Sequence, residues 1–329
     1  MVIISSFINR TNSYSRNVFL VSIIFAISIL EVFLLFEYFF IIGKRQTLFK
    51  TLFYLILIYV AVTDIIMILF PTLHIEKGMN YFIGNKFTVA YLHLQMIILY
   101  LEKCSFKKKM SLLDKLLFVL LCFITLSVCI YTKCSTGIVG LFLLLIFYYI
   151  EKNNISLLRS TKTIFIVLFI SSSILLLFSG ILKIGFIRYF IENILHEDIT
   201  LTGRLIIYNN INSIFSGHIL LGYGLGSSFD VIMSTIHAPN TQNGILEVIL
   251  EQGIISFVLL MFLIYVVFRK IRKSKNCNYS LIMVYIYTVF SSVEITIGKS
   301  FLIWIALSLL CQDLNDKNNK IYKNINTKL

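Results

Sequence analysis

The feature that most constrains this chain is a succession of long apolar runs separated by short, basic loops. The run at 18–42 is the clearest, and it is apolar over about 25 positions, where the hydrocarbon core of a bilayer needs roughly 20. It lacks a small-residue cleavage site and is too long for a signal-peptide core, so a retained span is expected. Only 14% of the 329 residues are charged and 58% are hydrophobic, against roughly 25% charged in a soluble domain. With a mean hydropathy of +0.89, the chain has too few polar groups to cover a water-facing surface.

Further runs lie near 51–70, 87–101, 114–131, 135–150, 163–182, 254–268, 279–297 and 300–311. The pattern predicts an all-α, polytopic membrane protein of about nine transmembrane helices, with a range of roughly 8 to 11. The alternation of a barrel is missing from these runs. Residues 1–312 read as one integral-membrane domain, and 313–329 as a basic cytoplasmic tail.

Net charge is +13. On a soluble protein that would suggest nucleic acid. Here the basic residues fall in a few loops, notably RKIRKSK at 269–275, 103–115, 151–162 and 44–50, which marks these as cytoplasmic. No nucleic-acid partner is expected. Alternation then places 71–86, 132–134 and 183–243 outside. One conflict stands: nine spans with a cytoplasmic tail put the N-terminus outside, yet Arg10 and Arg16 flank the first span. Either residues 1–42 form two elements or one later run does not cross.

The six cysteines show no metal-ligand spacing, and neither a disulfide nor a metal site is expected from them. No phosphate loop, HExxH, GxSxG or DxD-type cluster occurs, so no cofactor is expected.

The longest break between apolar runs is 183–253, expected to form a large outer loop and a helix re-entering the membrane. It holds TGR at 202–204, GYGLG at 222–226 and HAPNTQNGILEVILEQG at 237–253. Residues 186–196 have near-helical apolar spacing and suggest an interfacial helix, and 202–215 suggests another. GYGLG lacks the setting of a nucleotide loop and reads as a tight turn. The helix beginning after Asn243 is expected to break at Gly253.

Arg204 suits bidentate capture of phosphate, with the bland alternative of a headgroup contact. Arg188 has the same two readings. His237, with Asn240 and Asn243 nearby, is placed to act as a general base or to be a plain loop histidine. Glu247 and Glu251 are one helical turn apart at the membrane boundary, where carboxylates are costly unless paired or functional. Lys133 sits at the outer end of a span, as a cavity residue or an anchor. His93, inside a span, is expected to hydrogen-bond another helix.

In this order, TGR, the GYG turn, the His/Asn patch and NGILEVILEQGIISF resemble the bacterial O-antigen and capsular polysaccharide repeat-unit polymerases and their ligase relatives. The stretches YFIGNKFTVAYLH and KCSTGIVG resemble them as well. The family's histidine directly before the asparagine is replaced here by Gln242, and its closing glycine by Ser256. The resemblance implies a metal-independent membrane glycosyltransferase in the bacterial cytoplasmic membrane. It would join oligosaccharide repeat units carried on undecaprenyl diphosphate, with membrane lipid around it and a chain-length regulator and a flippase as candidate partners. Arg204, with Arg188, would neutralise the leaving diphosphate, and His237 or Glu247 would deprotonate the acceptor. Asn240, Asn243 and Lys133 would contact substrate. The rival readings are an O-antigen-ligase-like transferase and a flippase or transporter of the same lipid-linked unit.

Overall fold

The computed structural model describes residues 1–12, 14–72, 80–107, 109–153, 155–176, 210–272 and 277–311, together with Gly185, Tyr189, Ile206 and Ile207. All the regular elements among them are helices: α1 (Val2–Ile8), α2 (Val18–Ile41), α3 (Arg45–Leu69), α4 (Lys86–Ser105), α5 (Leu112–Tyr131), α6 (Ser135–Lys152), α7 (Thr161–Leu176), α8 (Ile211–Ile214), α9 (Ser228–Ile236), α10 (Gly244–Ile271), α11 (Ser280–Phe290) and α12 (Lys299–Leu310). Five of these, α2, α3, α5, α6 and α10, are long and apolar enough to cross a membrane. The protein is therefore an all-helical, membrane-embedded chain. Many large apolar side chains on these helices face outward, among them Leu34, Ile58, Phe123 and Phe262. In lipid such exposure is what a spanning helix requires.

The chain divides into two compact units. The second comprises Leu34–Ser160, Lys270–Ile286 and Trp304–Leu329. Its centre is α4, which packs against α3, α5 and α6. Val89, Ala90, His93, Leu94 and every residue from Met96 to Glu102 are buried, so α4 is covered on all sides, as an inner helix must be. Close approach depends on Gly137 of α6: a Cβ there would lie 2.5 Å from Cys129 Sγ and 2.7 Å from the Ala90 side chain. Small residues at such crossings let helices pack without a hydrophobic driving force. Asn85 caps α4 by accepting the Thr88 N–H at 3.0 Å, and Ser111 with Asp114 forms a capping box on α5. His93 does bond another helix: its Nε2 lies 3.2 Å from Asp64 Oδ2 on α3.

Two buried carboxylates hold the turn before α11 in this unit. Glu151 Oε1 accepts the Asn278 N–H at 2.7 Å and the Arg159 Nε–H at 3.0 Å. Glu102 Oε1 accepts from Ser280 N at 2.6 Å and Ser280 Oγ at 2.8 Å. Buried charges are tolerated only with such partners.

The first unit comprises Met1–Phe33, Thr161–Arg269 and Tyr287–Ile303. Residues 1–42 hold two elements, α1 and α2, rather than one. The run at 279–297 is not one continuous helix: α11 ends at Phe290 and a turn follows to Gly298. The reason is local chemistry. Thr296 Oγ1 donates to the Tyr287 carbonyl at 2.6 Å and Ser291 Oγ to the Thr288 carbonyl at 2.7 Å, while the Ser291 carbonyl accepts the Gly244 N–H at 2.8 Å. The Ser291 hydroxyl thus takes the Thr288 carbonyl that the next helical N–H would have used, and the Ser292 N–H turns to the Val289 carbonyl at 3.3 Å instead. Most of 183–209, including both expected interfacial elements apart from α8, lies outside the described residues, as does the tail 312–329.

Candidate functional site

The site of the first unit is built around a break in α10. At Gly253 the backbone leaves the helix, with φ 80° and ψ 168°, a region open essentially to glycine alone. Four backbone groups of the helix lose their partners there, and the segment 219–224 replaces them. The Ile254 N–H goes to the Ile219 carbonyl at 2.9 Å and the Ile255 N–H to the Leu220 carbonyl at 3.4 Å. In return the Leu250 carbonyl accepts the Tyr223 N–H, and the Glu251 carbonyl the Gly224 N–H, each at 2.8 Å. Unsatisfied backbone groups at membrane depth cost several kcal/mol each, so this exchange is what makes the break possible.

The exchange also explains the glycines of the GYGLG segment. A Cβ on Gly222 would lie 2.6 Å from the backbone of 251–253, and one on Gly253 would lie 2.1 Å from the Leu220 carbonyl oxygen. The GYG stretch is a turn pressed against the broken helix. Helix α1 closes over it: Ser5 Oγ donates to the Glu251 carbonyl at 3.1 Å, Asn9 Nδ2 to the Gly222 carbonyl at 3.0 Å, and Ser6 Oγ accepts the Leu225 N–H at 2.9 Å. Beneath it Ile207, Ile214, Val231, Ile232 and Leu250 form a buried apolar cluster, against which Tyr14 and Tyr223 pack. The Tyr223 hydroxyl donates to the Ile214 carbonyl at 2.9 Å. Burial pushes the phenols of both Tyr14 and Tyr223 above their usual range.

Beside this junction opens a cavity of about 450 Å³ lined by Ser15, Arg16, Ser228, Asn240, Glu247 and Glu251 among others. That size suits a small-molecule or glycan-sized site. Glu247 and Glu251 come from the first half of α10, one turn apart, so both face the same side. Glu247 Oε2 accepts from Thr241 Oγ1 at 2.7 Å. Glu251 Oε1 accepts the Gly226 N–H at 2.9 Å. The Ser228 hydroxyl is buried and faces Glu247 without completing a hydrogen bond. Arg16 is the only cation among the described lining residues. It is placed by its neighbour, since Asp230 Oδ2 accepts from Ser15 N at 3.1 Å and from Ser15 Oγ at 2.9 Å.

Of the residues singled out in the sequence, the structure brings Asn240, Glu247 and Glu251 into this cavity. Asn240 Oδ1 accepts the Gln242 N–H at 2.9 Å, which folds its side chain over its own turn. Asn243 is buried and spends its side-chain oxygen capping α10, accepting from Ile245 N at 2.9 Å and Leu246 N at 3.0 Å. His237 is exposed at the C-terminal cap of α9, in the left-handed region with φ 56°, and is not among the cavity's lining residues. Lys133 belongs to the second unit, where it too has a left-handed φ of 50° and its carbonyl accepts from Lys86 Nζ at 3.3 Å. Arg188 and Arg204 lie outside the described residues.

Four polar contributors were not chosen from the sequence: Arg16, Ser15, Ser228 and Asp230. The first left a trace there, as a basic residue on the wrong side for its span under the positive-inside rule. The chemistry of the cavity is two carboxylates, an arginine and a ring of hydrogen-bonding groups at the end of a spanning helix. Such a set can hold a phosphate-bearing group beside a hydroxyl and accept that hydroxyl's proton. Comparison with known proteins adds no relative: no family model, no curated protein and no solved structure matches this chain.

Proposed function

We propose that this protein is a membrane glycosyltransferase that joins undecaprenyl-diphosphate-linked oligosaccharide repeat units into a polysaccharide, as the capsular and O-antigen polymerases do. The observation that carries the reading is the cavity beside the Gly253 break, where Glu247, Glu251 and Arg16 meet. The accompanying topology is about nine spans, with 183–243 as a large loop facing away from the cytosol. The grouping of Arg16 with that loop supports it: the N-terminal segment then lies on the same side as the loop, and Arg16 serves the cavity rather than orientation.

In this mechanism Glu247 takes the proton from the acceptor hydroxyl. The freed oxygen attacks the anomeric carbon of the donor sugar, whose bond to the diphosphate oxygen breaks with the electron pair leaving on the diphosphate. Arg16 offsets the charge that develops there, and Arg204 keeps the same role by resemblance. Glu251, tied to the Gly226 N–H, positions the half-helix and faces Arg16's charge. An arginine aimed at a leaving diphosphate in a water-poor site supplies about 3 kcal/mol, or roughly a hundredfold in rate.

Lipid analysis of a deletion strain tests the reading. Accumulation of single repeat units on the carrier at the outer face supports polymerisation. Long chains left on the carrier indicate the ligase-like reading, and single units held inside the cell indicate a flippase.

A further inference from the structure

Helix α1 is amphipathic in the reverse sense of a surface helix in water. Ser5, Ser6 and its C-terminal cap Asn9 share one face, and they are 0%, 0% and 4% exposed. Ile3, Ile4, Phe7 and Ile8 share the opposite face and are each between 42% and 53% exposed. A helix bathed in water turns its apolar stripe inward and its polar residues out.

The polar face is fixed in place. Its hydrogen bonds to the Glu251 and Gly222 carbonyls and from the Leu225 N–H tie it to the turn at the Gly253 break. Asn9 Nδ2 also donates to the Ser5 carbonyl at 2.9 Å, which sets the direction of the amide. Gly224 lets the helix come this close, since an added Cβ would lie 3.3 Å from Ser6 Cα. Turning the apolar face inward would strip three buried polar side chains of their partners.

The surroundings of the apolar face show what covers it. The Phe7 ring packs edge-on against Phe19 of α2, with centroids 5.5 Å apart. Beside Phe19, the stripe Leu20, Ile24 and Ile27 faces outward along a helix of spanning length. The apolar face of α1 is thus continuous with a lipid-facing surface. At its edge the Arg10 guanidinium lies 3.9 Å from the centre of the Phe7 ring, a cation placed to meet lipid phosphate. With 7 residues α1 is too short to span. A short helix with an exposed apolar face and a flanking arginine is suited to lie in the membrane interface.

We infer that α1 is a membrane-inserted clasp. Its apolar face docks into the acyl chains of the surrounding bilayer, and that docking holds its polar face on the broken helix. The clasp does not depend on the glycan-joining reading, and its test does not use that activity.

The full-length protein is reconstituted in phosphatidylcholine nanodiscs with or without bromine on the acyl chains. Trp304 is the one tryptophan of the chain, so Ile4→Trp and Thr11→Trp are each made in a Trp304→Phe background. Thr11 is an exposed polar residue beyond the helix. Bromine is expected to quench Ile4→Trp severalfold more than Thr11→Trp. A second measurement leaves Trp304 in place and follows hydrogen–deuterium exchange by mass spectrometry in plain nanodiscs. Ile4→Asn/Ile8→Asn is expected to speed exchange over 2–9 and 222–225 by about tenfold or more, the scale of withdrawing one large apolar side chain from lipid. Thr11→Asn is expected to leave both segments at the wild-type rate. Equal quenching at the two tryptophans overturns the inference, and so does wild-type exchange in the double asparagine variant. An unquenched Ile4→Trp together with Ile8→Cys cross-links between two copies assigns the face to a second copy and overturns it as well.

Discussion

Asp230 accepts two hydrogen bonds from Ser15, one from its backbone N–H at 3.1 Å and one from its hydroxyl at 2.9 Å. The two residues are 215 positions apart, and their contact brings Arg16 to the cavity that Glu247 and Glu251 line. A segment that reads as a mere lead-in to the first span thereby becomes part of the site. The carboxylate also opens the first turn of α9, where a negative charge is favourable.

Asp230→Asn keeps the shape of this contact and removes its charge. Hydrogen bonds to charged groups contribute about 1.5–3 kcal/mol. If Arg16 acts through this anchor, repeat-unit joining falls by about tenfold or more while the protein stays in the membrane at its normal level. Quantifying the product ladder made by purified variant and wild-type protein checks this.

Glu247→Gln is nearly isosteric and keeps an oxygen for the Thr241 hydroxyl. Its expected effect is a loss of transfer rate of about 10² to 10⁴, the range of a positioned general base, with little change in thermal melting. A rate within a few-fold of wild type would move the proton-accepting role to another group. His237→Ala serves as the comparison; the exposed ring lies outside the cavity lining, so a mild effect is expected.

Gly253→Ala attacks the break itself. The new methyl would meet the Leu220 carbonyl oxygen at 2.1 Å, and the backbone would hold alanine where φ is 80°. The conformational cost alone is about 1–3 kcal/mol, and the clash adds to it. The variant is expected to melt at a clearly lower temperature, or to fail to accumulate, as measured by a thermal scan in detergent. Gly217→Ala provides the contrast: its φ is also positive, yet nothing lies within 4 Å of an added Cβ.

Arg159→Ala leaves Glu151 buried without its cation. Both side chains are almost fully enclosed, at 5% and 0% exposure, and breaking such a pair costs about 3–5 kcal/mol. A large fall in melting temperature is expected, and Glu151→Gln in the same background is expected to recover part of it, because the orphaned charge is gone.

Ser234 is exposed on α9. Ser234→Cys is expected to react with a membrane-impermeant maleimide in intact cells with the outer face accessible. Labelling only after the membrane is opened would place the 183–243 loop in the cytosol and remove the basis for the glycan-joining reading.

The sequence by itself determined that this chain lives in lipid and is helical there. A charge content of 14% leaves no other solvent, and runs of near-spanning length leave no other backbone arrangement. It also marked the GYG turn and the break at Gly253, because glycine has few other uses at a bent helix near a membrane boundary. What only the tertiary structure decided is partnership. Asn243 looked like a substrate contact, but its oxygen caps α10, and capping depends on where the helix starts to within one residue. His237 looked like a base, but it ends α9 and faces outward. Arg16 looked like an orientation signal, yet it lines the cavity, because a contact across 215 positions, through Ser15 and Asp230, leaves no periodicity to read. Period and composition report the solvent that each stretch faces. Which polar group meets which is set by the long-range exchange of hydrogen bonds at Gly253, and that exists only once the chain has folded.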